Sequence, residues 1–594
     1  MPLSPPPPPP PSASPASSWF HRLRGDLARY RDKALADDLV AALVVAILLV
    51  PQGVAYALLA GLPPEVGVYA SVLPMVAYAA LGSSSVNSIG PAAVLALMTA
   101  QAIGPAVAGG VPATEAALVL AIESGVLLLL AAALKFDALA SLLSVPVLQG
   151  FSVGASLSIL LSQLPVLFGA NARGFNAIEV FGSWWQNGHT VHGPTTAFGL
   201  GALALLWLAR GHAIRLLERV MTRRAAQLAA RAIPLAVIAV ATLVAWAVAA
   251  PAHGVRLVGA LPALHPVLTW PAVDASVWRQ MLPGAALLAL VTFVSSLAVA
   301  ENLGLQRGRR VSPRRELLGL AGGNVVAGLG GGMPVGGSFS RTAVNAEAGA
   351  RTRLAGVFAA AFTALGMLLF AVPLGLLPKA VLAATIVMSV LAAGEWKGFA
   401  EAWRYSHGEA VLMGAVAAIT VLQDAQWALA FGVAVSIAML LKRTARPHAV
   451  VVARMPGTEH YRNVRRYATE GAPGVLGIRI DESLLYINAR QLPDVVMACL
   501  DAAPGTTRVL LQMSPVNHID FSGEQALRSL QDLLDRRRVQ LDLSEVKGPV
   551  LDALVASDWT RWFRGRVFLS HHQGVVGSDA VIPPSPLSRT PPGP

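Results

Sequence analysis

From about residue 38 to 442 the chain is a succession of apolar runs, broken by brief polar or Gly/Pro interruptions. A helix that crosses a bilayer needs about 17 to 25 mostly apolar residues. Runs of that kind lie near 38–58, 66–82, 115–135, 145–168, 193–209, 232–250, 281–301, 316–331, 353–376, 379–394, 408–423 and 426–442. Two more are short, 91–102 and 340–350, which brings the expected elements to fourteen. Past 448 the period changes. VLGIRI (475–480), LLYINA (484–489), RVLLQMS (508–514) and VQLDLSEV (539–546) read as strands. LPDVVMACLDAA (492–503) and SGEQALRSLQDLLDRRR (522–538) read as helices, the second with apolar positions at 527, 530, 533 and 534, and another starts near Pro549. Alternating strands and helices predict a small α/β domain over 448–578.

The ends differ again. Residues 1–18 form a Pro/Ser tract that cannot pack a core, 19–37 a basic juxtamembrane segment, and 579–594 a second Pro/Ser-rich tail. The tract has no apolar h-region, so it is not read as a signal peptide.

Charge agrees with a lipid solvent. Of 594 residues 55% are hydrophobic and 13% charged, where a soluble chain carries about 25% charged residues. The net charge of +12 comes from arginines beside the apolar runs, at 22–31, 210–231, 307–315 and 441–448. Counting fourteen elements puts all four clusters on one side, so both termini are expected in the cytoplasm of a multi-pass inner (plasma) membrane protein. No aromatic and basic motif accompanies them, and no nucleic-acid partner is expected. Cys499, the sole cysteine, excludes an intrachain disulfide framework. The twelve His are scattered, and HExxH, Walker A and nucleophile-elbow patterns are missing, so neither an enzyme nor a cofactor is expected.

The two short runs carry the chemistry. NSIGPAAVLALMTA (87–100) and GGSFSRTAVN (336–345) each place Gly or Pro before a short apolar helix. Paired short, Gly/Pro-interrupted segments in the two halves of a transporter mark a mid-membrane site, where helix N-termini face an anion. In the second run Ser338 or Ser340 is the expected N-cap, and Thr342 offers a further donor. Arg341 either snorkels to the surface or supplies a full positive charge to the anion. Glu301, ending an apolar run, is either an interfacial carboxylate or a buried proton acceptor near Arg341. Gln52 and Tyr56, one turn apart, either bond neighbouring helices or line the cavity beside Pro51.

DDLVAALVVAILLVPQGVAYALLAGLPPEVGVYAS (37–71), GSSSVNSIGPAAV (82–94), GFSVGA (150–155) and PVGGSFSRTAVNAEAGARTRLAG (334–356) together resemble the SulP sulfate permease family of anion transporters. The resemblance spans most of residues 20 to 580, and the C-terminal domain looks like a STAS domain. It implies an α-helical polytopic membrane protein: fourteen transmembrane segments in a seven-plus-seven inverted repeat with core and gate subdomains, followed by a cytoplasmic α/β STAS-like domain. It further implies a homodimer with an anion site between segments 3 and 10. Gln52 and Tyr56 match the family's first-segment site positions, Ala92 and Ala93 the third-segment N-terminus, Ser340 and Arg341 the tenth-segment contacts, and Glu301 the eighth-segment carboxylate. Ser522, in NHIDFSGEQAL (517–527), matches a position phosphorylated in related stand-alone proteins; its plainer reading is an N-cap partnered by Gln525. Two departures stand out. Ser85 replaces a frequent basic residue, and Arg315 precedes Glu316 where Asn is common.

The expected function is secondary active transport of a small inorganic oxyanion, sulfate first, coupled to protons. Sodium-coupled bicarbonate or dicarboxylate transport is the alternative within transport. A membrane-tethered regulatory protein acting through the STAS-like domain is the alternative of another class.

Overall fold

The computed structural model describes residues 34–135, 144–170, 172, 177–186, 191–260, 268–393, 398–423, 425–445, 448–557 and 559–577. The Pro-rich tail 1–18, nearly all of the segment 19–37 and the tail 579–594 lie outside them. The chain divides into two units, Met1–Ser436 and Ile437–Pro594.

The first unit is helical. Its first half holds α1 (Ala34–Leu59), α2 (Pro64–Leu81), α3 (Ala93–Ala108), α4 (Ala113–Ala133), α5 (Val145–Phe168), α6 (Ala177–Gln186), α7 (Gly193–Leu217) and α8 (Arg223–Ala247). The second holds α9 (Ala275–Gln306), α10 (Pro313–Leu329), α11 (Phe339–Ala348), α12 (Leu354–Gly375), α13 (Lys379–Ala393), α14 (Gly398–Tyr405), α15 (His407–Leu422) and α16 (Ala425–Thr444). Apart from the short α6 and α14, these helices follow the fourteen apolar runs in order among the described residues. Seven are long and apolar enough to cross a membrane alone, and four apolar helices are shorter. Several start where proline's fixed φ suits a first turn, as at Pro64 and Pro313.

Lipid offers no hydrophobic drive between helices, so close packing has to hold them. α1 and α2 meet glycine to glycine: a Cβ on Gly67 would stand 1.9 Å from the Gly53 carbonyl oxygen. Outward-facing residues are large and apolar, such as Trp207, Leu368, Phe370 and Val372, all more than half exposed in the isolated chain. A monomeric soluble protein rarely shows so broad an apolar surface.

Two fully buried carboxyl-bearing side chains fix the ends of the half-helices. Asp38 accepts hydrogen bonds from the Arg351 and Thr352 amides and from Thr352 Oγ1 at 2.6, 3.2 and 2.6 Å, holding the turn after α11. Glu316 takes Tyr78 Oη and Ser83 Oγ at 2.6 Å, the Ser83 and Ser84 amides at 3.0 Å, and Asn87 Nδ2 at 3.4 Å. It therefore fixes the loop that leads into α3.

In the second unit the sheet order is β4-β3-β5-β6-β7-β8, over β3 (Ala449–Arg454), β4 (Tyr461–Asn463), β5 (Val475–Ile480), β6 (Arg508–Gln512), β7 (Gln540–Ser544) and β8 (Val567–Phe568). β5 to β8 run parallel and β3 joins β5 and β4 antiparallel. Helices α17 (Leu492–Asp501), α18 (Phe521–Arg536), α19 (Gly548–Ala556) and α20 (His571–Val576) complete it. The strand expected at 484–489 is not one. Asn488 accepts from the Leu485 amide and donates to the Ser483 carbonyl, at 2.9 and 3.0 Å, which turns the chain instead. Nor is Ser522 the N-cap of α18. Asp520 is, its carboxylate accepting from the Gly523 amide at 2.9 Å, and Ser522 sits half-buried in the first turn.

Candidate anion site

The segments before α3 and α11 pair. β1 (Ile89–Gly90) and β2 (Gly336–Gly337) run antiparallel, Ile89 against Gly337 and Gly90 against Gly336. This small ladder lies about 250 residues apart in sequence and brings the two helix N-termini together. Each terminus presents backbone amides with no partner in its own helix, and each carries the positive end of a helix dipole. Neither is capped by a side chain: Ala92 is the N-cap of α3 and Ser338 that of α11, with no side-chain cap bond at either. Ala93 opens α3, half-buried like Ala92. Ser340 lies in the first turn of α11, and its side chain falls outside the described residues.

Arg341 is fully buried, the largest side chain without exposure among the described residues. Its Nη1 donates to Gln52 Oε1 at 3.3 Å, while Nε and Nη2 find no hydrogen-bond partner among the described residues. Tyr56, 6% exposed, lies in the field of this guanidinium and hydrogen-bonds Ser389. The guanidinium reaches across to the other half of the ladder, for a Cβ on Gly90 would stand 3.4 Å from Nη2. A charge taken from water without a counter-ion costs several kcal/mol, and two donor nitrogens left unpaired add to that. The arrangement fits an anion: a cation, two free donors and two helix N-termini converging on one place.

Thr342 does not join in. Its Oγ1 donates to Asn87 Oδ1 and accepts from the Ser88 amide, so it locks the two half-helices to each other. Ser296, unremarked in the sequence, takes the Gly337 amide at 2.8 Å and ties β2 to α9. Its only signal was a polar pair within an apolar run.

Glu301 is not where proximity to Arg341 required it. It is exposed and forms no ion pair with Arg341. α9 continues to Gln306 rather than stopping at 301. Five residues beyond Ser296 the helix has turned by about 500°, which points the carboxylate some 140° away from the ladder (~100° per residue). Another acidic residue, Glu347 of α11, lines a cavity of about 850 Å3 that also includes Gln52, Ser389 and Arg210. The cavity lies between α1 and α11 on one side and α7, α8 and α13 on the other.

Residues 35–416 match the sulfate permease family and residues 466–574 a STAS domain. The chain belongs to the sulfate permease family. It is 31% identical to a probable sulfate transporter of Mycobacterium tuberculosis over 89% of this chain and 92% of that one. Sulfate transporter 4.1, chloroplastic, of Arabidopsis thaliana is 30% identical, over 85% of this chain and 74% of that one. Among solved structures, the murine solute carrier 26 family member A9 anion transporter, in an inward-facing state, superposes with a TM-score of 0.81 at 23% identity, covering 92% of both chains. The transmembrane domain of the cyanobacterial bicarbonate transporter BicA does so at 0.57 and 22%, over 67% of this chain and 98% of that one. The family fold is thus a multi-pass helical membrane domain with a C-terminal STAS domain, and the seven-plus-seven arrangement is consistent with it.

Proposed function

We propose that this chain is a secondary active transporter of a small inorganic oxyanion, with sulfate as substrate, bound between the N-termini of α3 and α11. The observation that carries the reading is Arg341, wholly buried with Nε and Nη2 unpaired beside two uncapped helix N-termini. The names of the relatives favour sulfate over other anions. Gln52 and Tyr56 orient the guanidinium, Ala92 and Ala93 present amides without side-chain bulk, and Ser338 and Ser340 flank the anion. The cavity beside Gln52 gives the anion a route, with Arg210 in its lining. Symport with protons, with Glu301 as the coupling carboxylate, is part of the proposal. The protein works as a homodimer in the inner (plasma) membrane with both termini cytoplasmic, and phosphorylation at Ser522 tunes the STAS domain.

The test is uptake of radiolabelled sulfate, bicarbonate and fumarate by proteoliposomes under imposed proton or sodium gradients. Sulfate accumulation driven by an inward proton gradient is expected. Bicarbonate or fumarate accumulation without sulfate transport overturns the substrate, and accumulation only with sodium overturns the coupling.

A further inference from the structure

At the ends of α9 and α10 a separate cavity of about 350 Å3 opens between Ser83–Val86 and Leu303–Val311. Arg307, Arg309 and Arg310 line it together with Ser83, Ser84 and Ser85, and among the described residues no carboxylate does. Two of the guanidiniums are already anchored. Arg307 donates to the carbonyls of Ala350, at 2.6 Å, and Ala346, at the end of α11. Arg309 Nη1 donates to Ser85 Oγ at 3.0 Å and to the Arg351 carbonyl at 3.1 Å. Only neutral oxygens meet these cations, so the charge is positioned but not neutralised. The cost is visible at Arg307, whose guanidinium is pushed below its ordinary range first by burial and then by Arg309 beside it. Arg310 carries no hydrogen bond or ion pair among the described residues. Ser84 Oγ accepts from the Val86 and Asn87 amides and Ser85 Oγ from Arg309, so both hydroxyls keep a proton to donate.

We propose that this cleft is a second binding site, for a phosphate-like oxyanion. Arg309 and Arg310 clamp it, Ser84 and Ser85 donate to it, and Arg307 links it to the C-terminal end of the helix that bears Arg341. Three convergent guanidiniums suit a tetrahedral dianion or phosphomonoester through forked hydrogen bonds. A free anion and the phosphate of an anionic lipid share this chemistry, since basic pockets between helices at a membrane face also take headgroups.

The test uses the full chain with R341A, which removes the central site, in phosphatidylcholine nanodiscs, with radiolabelled inorganic phosphate and sulfate as probes. One salt-sensitive site per chain is expected, weakened about tenfold or more by adding R309Q/R310Q and kept by R309K/R310K. In discs containing phosphatidic acid, loss of the phosphate signal with lipid retention that depends on the same two arginines identifies a headgroup as occupant. Retained phosphate binding identifies the free anion. If R341A does not fold, the wild type should bind two anions per chain and R309Q/R310Q one. R310Q alone, which removes no described contact, should also weaken binding. Absence of any arginine-dependent binding or lipid retention overturns the proposal, as does binding indifferent to R309Q/R310Q. Transport by the wild type is read separately, so the central-site reading and this one fail independently.

Discussion

Arg341 Nη1 and Gln52 Oε1 meet at 3.3 Å across 289 residues of chain, the one hydrogen bond of this fully buried guanidinium among the described residues. The bond holds the fork in place and leaves Nε and Nη2 for the anion. Truncating Gln52 to leucine should raise the sulfate KM about tenfold, the size expected for a hydrogen bond to a charged group. R341A should abolish uptake. R341K keeps the charge without the fork, so weak uptake at high sulfate is its expected outcome. Uptake by proteoliposomes checks all three, and wild-type affinity in Q52L would remove the glutamine from the site.

The ladder between β1 and β2 makes a second demand. Gly90 has φ +156°, a conformation that L side chains seldom adopt, and a Cβ there would stand 3.3 Å from Leu49 Cδ1 and 3.4 Å from Arg341 Nη2. Strain at such a position costs about 1–3 kcal/mol, and the methyl would also push against the guanidinium. G90A should therefore insert and remain helical by circular dichroism but lose most sulfate uptake. Normal transport by G90A would mean that the ladder does not set the geometry of the anion site.

How much of this was legible in the sequence depended on the range of the interaction. The fourteen segments followed from apolar run length, and the meeting of 87–100 with 336–345 followed from glycines and proline placed alike in the two halves. The register of Ile89 on Gly337 did not, because no local pattern reports a two-residue ladder between distant segments. The choice between the two readings of Glu301 was out of reach for a similar reason: the apolar run stops at 301, but the helix continues, and its rotation leaves the carboxylate exposed rather than beside Arg341. LLYINA has strand-like composition, yet one side chain, Asn488, captures two backbone groups and turns it. Glu316 was visible only as a landmark, because its five donors, one from α2 (Tyr78) and four from the loop before α3, lie more than 200 residues earlier.

That carboxylate carries the third prediction. With no exposure of its own, Glu316 satisfies two backbone amides, the Ser83 hydroxyl and the Asn87 amide side chain in the loop before α3, and the Tyr78 hydroxyl of α2. Alanine would leave those donors buried without an acceptor, a loss of about 3 kcal/mol or more. Glutamine, which puts an NH2 group against donors, should do nearly as badly. Thermal stability of the detergent-solubilised protein by size-exclusion chromatography should fall for both variants, and sulfate binding should weaken as the loop loosens. An unchanged melting point in E316A would show that the loop is held by something else.

The STAS domain offers a prediction about pH. His571, 1% exposed, lies against Ser544, with Nδ1 and Oγ 2.9 Å apart. The Ser544 hydroxyl also donates to the Leu511 carbonyl at 3.3 Å, which assigns the proton of that contact to Nδ1. Nε2 then carries a lone pair in a dry place without a partner, beside Gly477, where even a Cβ would come within 2.8 Å. Protonation would bury a second N–H with nothing to accept it. Accordingly burial holds the imidazole down to about 4, against a smaller upward pull from Glu545, while the Tyr461 ring packs edge-on at 4.7 Å. The folded value lies below the unfolded one. The stabilisation is therefore complete above pH ~6.5 and drains away as pH falls toward ~4, where the unfolded chain binds the extra proton. At about 1.4 kcal/mol per unit the loss is on the order of 3 kcal/mol. Asp481 and Glu545 are also held below their ordinary values, first opposed by burial and then lowered by hydrogen bonds, so their contribution disappears at lower pH. Urea unfolding of the fragment 448–594, followed by tryptophan fluorescence between pH 6.5 and 4.5, isolates the histidine. H571N should be less stable at pH 7 but nearly flat across that window. An equal slope in wild type and H571N would assign the acid sensitivity to other groups.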